Sequence, residues 1–228
     1  MPKCSRSQKP KEAIEKEWKK LFDMKAFGLD EVEEFEDVKR RYSKMGKKVH
    51  FGTLRTLCHE KHSELPMHLR CYKGRVVFRG DIVKDADGFY AVFSEQGTSS
   101  SHMAATTFMD ALARCPNCDG EDSDAIGAYT QVKLNDVDHL LGKGNVMIDT
   151  FICLPRYLWP QSLKDKKMEN PYCPLLVNLY GHKLAGLLWQ RWSEDKIINK
   201  CGFEKVEGWE CLYVHRKCKS SCQYTWMI

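Results

Sequence analysis

Between Leu179 and Lys200 the apolar residues Leu184, Leu187, Leu188, Trp192 and Ile198 recur at helical spacing on one wide face, and Gly202 supplies a stop. A helix of that length with one broad apolar side is held mainly by packing, so the rest of the chain must cover it. With 228 residues, 43% of them hydrophobic, there is enough chain for one large domain or two small ones.

The first segment also reads as a helix. Pro10 suits an early helical position, and Ile14, Trp18, Leu21 and Phe22 share one face opposite Lys and Glu. A second helix is expected after Gly28-Leu29-Asp30, with Val32, Phe35, Val38 and Tyr42 as its stripe. Lys39, Arg40, Arg41, Lys44, Lys47 and Lys48 gather towards its end, where they complement the helix dipole or meet a nucleic acid.

From His50 onwards short β-branched and aromatic runs alternate with turn residues. Arg75–Phe78 and Phe89–Phe93 flank Asp85-Ala-Asp87-Gly88, which predicts a hairpin. Ser99 to Ser101 suit a cap for a helix carrying Met103, Phe108 and Leu112, ended by a turn at Cys115-Pro-Asn-Cys118. Strand-like residues return at Val146 to Leu154 and at Cys211 to His215, whereas the residues from Arg216 to Ile228 show neither period nor cap. There is no internal repeat. Helices and strands interleave without regular alternation, so an α+β fold is expected rather than a doubly wound sheet.

The net charge of +5 suits an anionic partner without requiring one. No run approaches the roughly 18 apolar residues of a membrane span. The start, MPKCSRSQKPKEAIEKEW, lacks the apolar core of a secretion signal. The expectation is an intracellular protein, cytoplasmic or nuclear, with no membrane partner. Eleven cysteines, an odd number scattered from Cys4 to Cys222, read mostly as reduced thiols. Cys115 and Cys118 have the gap of a zinc knuckle, but the candidate second pairs, Cys218 with Cys222 and Cys58-His59 with His62, are far away in sequence. A plain Pro-Asn turn is the simpler reading.

Four carboxylates crowd into Asp119-Gly-Glu121-Asp122-Ser-Asp124, ahead of Ala125-Ile-Gly-Ala-Tyr129. The run lacks the alternating ligands and distant glutamate of a calcium loop. It is either an exposed acidic turn or, at Asp124, the last carboxylate before an apolar stretch, a place to present a metal ligand. Nucleotidyl transfer uses divalent metals held by at least two carboxylates, with an aromatic ring well placed against the nucleotide sugar.

Four segments, in order, resemble the reverse transcriptase domain of copia-type retrotransposons. Lys73-Gly-Arg75-Val-Val-Phe-Arg-Gly80 resembles the Lys-Ala-Arg-Leu-Val-x-x-Gly segment of that family's fingers. Asp124-Ala-Ile-Gly-Ala-Tyr129 resembles its palm segment Asp-Val-x-x-Ala-Phe. Leu179-Tyr-Gly181-His-Lys-Leu-Ala-Gly-Leu-Leu-Trp189 resembles Leu-Tyr-Gly-Leu-Lys-Gln-x-x-Arg-x-Trp, and Cys201-Gly-Phe203 to Val214 resembles the family's Gly-Phe segment and its adjoining strand. Each segment alone recurs by chance; their order and spacing carry the resemblance, which runs from about Pro10 to His215.

The resemblance implies a helical lead-in over residues 1–65, reverse transcriptase fingers and partial palm over 66–217, and an unrelated or frameshifted tail over 218–228. It implies RNA-directed DNA synthesis with Mg2+, deoxynucleoside triphosphates and an RNA or DNA template-primer. Asp124 becomes the first metal-binding aspartate and Tyr129 the steric gate under the deoxyribose. Arg75 and Lys73 become contacts to the incoming triphosphate, where a planar guanidinium grips phosphate oxygens. Tyr180, Gly181 and Lys183, with Trp189, lie near template and nucleotide. Ordinary strand-edge charge accounts for Lys73 and Arg75 as well, and core packing for Tyr180, Gly181 and Trp189. Lys183-Leu184 stands where the family has Lys-Gln, which removes an expected amide.

A second departure is larger. The family's Tyr-x-Asp-Asp turn is absent, and after Asp195 only Glu204, Glu207 and Glu210 carry side-chain carboxylates. One carboxylate cannot hold a metal pair, so the expectation is a truncated or frameshifted fragment of a Pol polyprotein, inactive alone. The alternative is a non-catalytic nucleic-acid-binding protein derived from the same fold.

Overall fold

The computed structural model describes residues 5–93, 103–142 and 145–223. Helix α1 (Ser5–Asp23) buries Trp18 and Leu21, as the spacing predicts. A two-residue strand β1 (Glu33–Glu34) leads into α2 (Phe35–Met45), which buries Val38 and Tyr42. Of the cations near its end, Arg40 pairs with Asp37 at 3.1 Å and Arg41 with Glu33 at 2.6 Å, so part of that charge is satisfied within the fold.

Three longer strands come next in the sheet: β2 (Val49–Lys61), β3 (Cys71–Phe78) and β4 (Asp149–Cys153), then a short β5 (Pro171–Pro174). They form one mixed sheet in the order β1-β5-β4-β2-β3, in which β2 and β4 run parallel and the other pairs antiparallel. Alternation along the strands divides the apolar residues between the two faces. Val76, Phe78 and Ile152 join Trp18 and Leu21 of α1 in the main core, while Val49, Phe51 and Phe151 join Val38 and Tyr42 of α2 in a smaller one. Gly74 lets α1 lie directly on β3, since a side chain there would meet the Ala13 carbonyl.

The α+β class is as expected, but three local expectations change. Arg75–Phe78 is strand, yet its partner is β2, in register from Leu54↔Phe78 to Lys61↔Cys71. Phe89–Phe93 contributes only a bridge between Lys84 and Tyr90, although the turn at Asp85–Gly88 forms, with Asp85 Oδ1 accepting from the Asp87 and Phe89 amides. Phe89, Tyr90 and Val92 are exposed, and the stretch of β2 opposite Arg75–Phe78 is Leu54–Leu57, itself only partly covered. The segment expected as a helical lead-in therefore contains the longest strand of the structure.

The long helix is the second change. Leu179–Leu184 forms turns, α5 spans Ala185–Asp195, and Lys196–Lys200 continues it as a π-helix. Third, part of the patternless tail is ordered as strand: β6 (Glu204–Lys205), β7 (Leu212–His215) and β8 (Ser220–Gln223) form a small antiparallel sheet. Helix α3 (Met103–Ala113) contacts this sheet region, with the Phe108 ring 6.2 Å from Trp209. Its expected cap, Ser99 to Ser101, lies outside the described residues. The turn after α3 forms as read, the Cys118 amide donating to the Cys115 carbonyl at 3.0 Å. A short helix α4 (Gln161–Asp165) sits in the β4–β5 connection.

Candidate functional site

The last residue of β3 meets the turn that precedes α5. Phe78 N–H donates to the Tyr180 carbonyl at 2.7 Å, extending the outer edge of the sheet by one contact. Gly181 has φ +86°, and a side chain there would strike the Phe78 carbonyl. A side chain on Gly80 would strike the Gly181 carbonyl in turn. Two backbones thus cross at a distance that only paired glycines allow. The crossing also brings Lys183 in, its Cγ lying 3.5 Å from where a Cβ on Gly80 would stand.

Tyr180 is held by this crossing and is flanked on two sides. The Tyr129 ring centroid is 4.5 Å away at 59°, and the Arg75 guanidinium carbon lies 5.1 Å from the Tyr180 centroid. Such a cation–π contact contributes about 0.5–1 kcal/mol when partly exposed and fixes the plane of the guanidinium. Tyr129 belongs to a single 3-10 turn (Ala128–Gln131) secured by Thr130 Oγ1 donating to the Gly127 carbonyl at 2.8 Å. Burial, with Tyr180 beside it, pushes the Tyr129 hydroxyl above its ordinary range, so it stays protonated at neutral pH.

Of the sequence-predicted residues, the structure therefore brings Arg75, Tyr129, Tyr180, Gly181 and Lys183 together. Lys73 is exposed on the same strand as Arg75, opposite His59 of β2. Asp124 lies on the exposed coil that leads into Tyr129. Trp189 is instead a core residue, stacked on Trp192 at 5.3 Å.

Two neighbours escaped the sequence reading. The Lys20 ammonium of α1 lies 3.0 Å from where a Cβ on Gly127 would stand, so the first helix reaches the Asp124–Tyr129 segment. Nothing in the spacing of α1 marks Lys20 apart from its other lysines. His182, beside Gly181, is buried against Phe78 with ring centroids 5.3 Å apart. Its Nδ1 accepts from Leu184 N–H at 3.3 Å, while Nε2 is buried with no partner. Burial, followed by the nearby charge of His50, lowers its pKa to about 4.

Asp124 is exposed on the same coil as Asp119, Glu121 and Asp122, and among the described residues no three His, Cys, Asp or Glu side chains form a group that could hold a metal ion. Among the described residues, no helix is long and apolar enough to cross a membrane. No protein-family model, no curated protein and no solved structure matches the chain.

Proposed function

We propose that this chain is the fingers and first part of the palm of a copia-type reverse transcriptase, a fragment of a retrotransposon Pol polyprotein that holds nucleotide and template-primer. The observation carrying this reading is the meeting of Arg75, Tyr129 and Tyr180. They come from three separate resembling segments, more than 50 residues apart in sequence, and stand in one contact chain.

In this reading Arg75 grips the triphosphate, its guanidinium already oriented by the Tyr180 ring, and Lys73 adds charge along the strand. Tyr129, kept neutral and backed by Tyr180, presents a ring edge to the sugar and excludes a 2′-hydroxyl. Asp124 is the first metal-binding carboxylate only as the resemblance has it, with Mg2+ belonging to a complete site. With one such carboxylate the chain by itself performs no polymerisation. That same feature favours a second reading, a non-catalytic nucleic-acid-binding protein of the same fold.

The test is equilibrium binding of a deoxynucleoside triphosphate and its ribonucleoside counterpart. Arg75→Ala is expected to weaken both by about 10- to 100-fold, the worth of a charge-assisted contact of about 1.5–3 kcal/mol. Tyr129→Val is expected to narrow the preference for the deoxy form without abolishing binding. A wild-type chain that binds neither nucleotide removes this reading. Nucleic-acid binding that persists without nucleotide binding supports the second.

A further inference from the structure

The connection between β4 and β5 forms a hollow of about 540 Å3 lined by Arg156, Trp159, Lys164, Lys167, Met168 and Glu169. None of these residues belongs to the Arg75–Tyr180 cluster or to any segment that carries the resemblance. Three cationic residues and one carboxylate residue line this space.

The local hydrogen bonding explains why those cations are unspent. The neighbouring Asp165 carboxylate accepts from Gln161 Nε2 at 2.9 Å. The Glu34 carboxylate accepts from the Glu169 and Asn170 amides at 2.7 and 2.8 Å. Among the described residues, Arg156, Lys164 and Lys167 enter no ion pair. Unpaired like charges sharing one concavity repel each other, and an anion entering it relieves that repulsion.

Arg156 is also preorganised. Its guanidinium carbon lies 5.5 Å from the centroid of the Trp159 ring, and Trp159 is itself fixed by Nε1 donating to the Leu154 carbonyl at 2.8 Å. A planar fork held over a buried ring loses little freedom when it takes phosphate oxygens in two-point contact. Lys164, at the end of α4, and Lys167, in a left-handed turn at φ 51°, supply point charges on mobile stems around it.

We propose that this hollow is a phosphodiester-backbone site, at which Arg156, Lys164 and Lys167 hold successive phosphates of a nucleic acid without reading its bases. The proposal stands on these side chains and does not depend on the nucleotide site described above. A polymer is favoured over a single small anion because the chain as a whole carries a net charge of +5, which draws a polyanion to the surface around the hollow.

The experiment compares the full chain with the triple variant Arg156→Gln, Lys164→Gln, Lys167→Gln. All three positions are exposed, so the variant keeps the fold, checked by its melting curve. Affinity for a labelled single-stranded oligonucleotide is measured over a range of salt concentrations, with inorganic triphosphate as competitor. Loss of three phosphate contacts flattens the slope of log K against log salt by about 2, from about 0.7 per contact. It also weakens binding at least tenfold at low salt. An unchanged slope in the folded variant overturns the proposal. So does displacement of the oligonucleotide from these residues by stoichiometric inorganic triphosphate, the mark of a small-anion site. Arg75→Ala, measured alongside, is expected to leave the slope difference intact, which separates failure here from failure of the nucleotide-site reading.

Discussion

His182 shows how a single residue's burial becomes a dependence on pH. It is buried between the Gly181 turn and α5, its Nε2 has no acceptor, and its pKa is lowered to about 4. The groups that bear on it are His50, itself buried with a lowered pKa, and the rings of Phe78 and Phe93. Because the folded state favours the neutral ring, its stability is fully present above the unfolded value near 6.5 and is lost as pH falls towards 4. The span corresponds to about 3 kcal/mol. Urea unfolding at pH 7 and pH 4.5 is therefore expected to show a loss in the wild type that is smaller in His182→Gln, with the share that His50 contributes remaining. An equal loss in both proteins shows that acid acts elsewhere, for instance through His50.

At the scale of elements, α5 and α3 are both eleven-residue helices with opposite standing in the fold. Leu188 in the middle of α5 is completely buried in the main core, and Leu188→Ala is expected to cost about 2–5 kcal/mol in denaturant unfolding. Phe108 of α3 is half-exposed beside Trp209, so Phe108→Ala is expected to cost under about 1 kcal/mol. Similar losses for the two would mean that the small sheet under α3 is as cohesive as the main one. Sequence periodicity located α1, α2 and the body of α5, because each carries a stripe fixed by a 3.6-residue repeat, whereas α3 was read from the turn that ends it. It failed where long-range pairing decides. Nothing local tells Arg75–Phe78 to choose Val49–Lys61 over Phe89–Phe93, and Ser220–Gln223 is strand only because β7 lies beside it. For the candidate site, Arg75, Tyr129, Tyr180 and Gly181 were named from the sequence, and the structure shows that they meet. The reason for Gly80 and Gly181 was not legible there, because two backbones must cross before either glycine has a purpose.

For the whole molecule, the distribution of the core argues against independent parts. Trp18 and Leu21 from α1, Val76 and Phe78 from β3, Ile152 from β4 and Leu188 and Trp189 from α5 belong to one cluster. Residues 1–65 share both that cluster and the β2–β3 ladder with the remainder of the chain, so a helical lead-in that unfolds separately has no core of its own to lose. The smaller cluster does not change this, since Phe51 and Phe151 join it from strands whose other faces serve the main core. Heat or urea is accordingly expected to unfold the main sheet and its helices in one transition, with tryptophan fluorescence and far-ultraviolet circular dichroism giving the same midpoint. Leu21→Ala, at the far N-terminal side of the core, is expected to lower both midpoints together, by about 2–5 kcal/mol in stability. An early circular-dichroism phase that Leu21→Ala moves alone would place α1 outside the cooperative unit. Lys20 would then approach the Tyr129 turn from a helix that can leave, and the site would open with it.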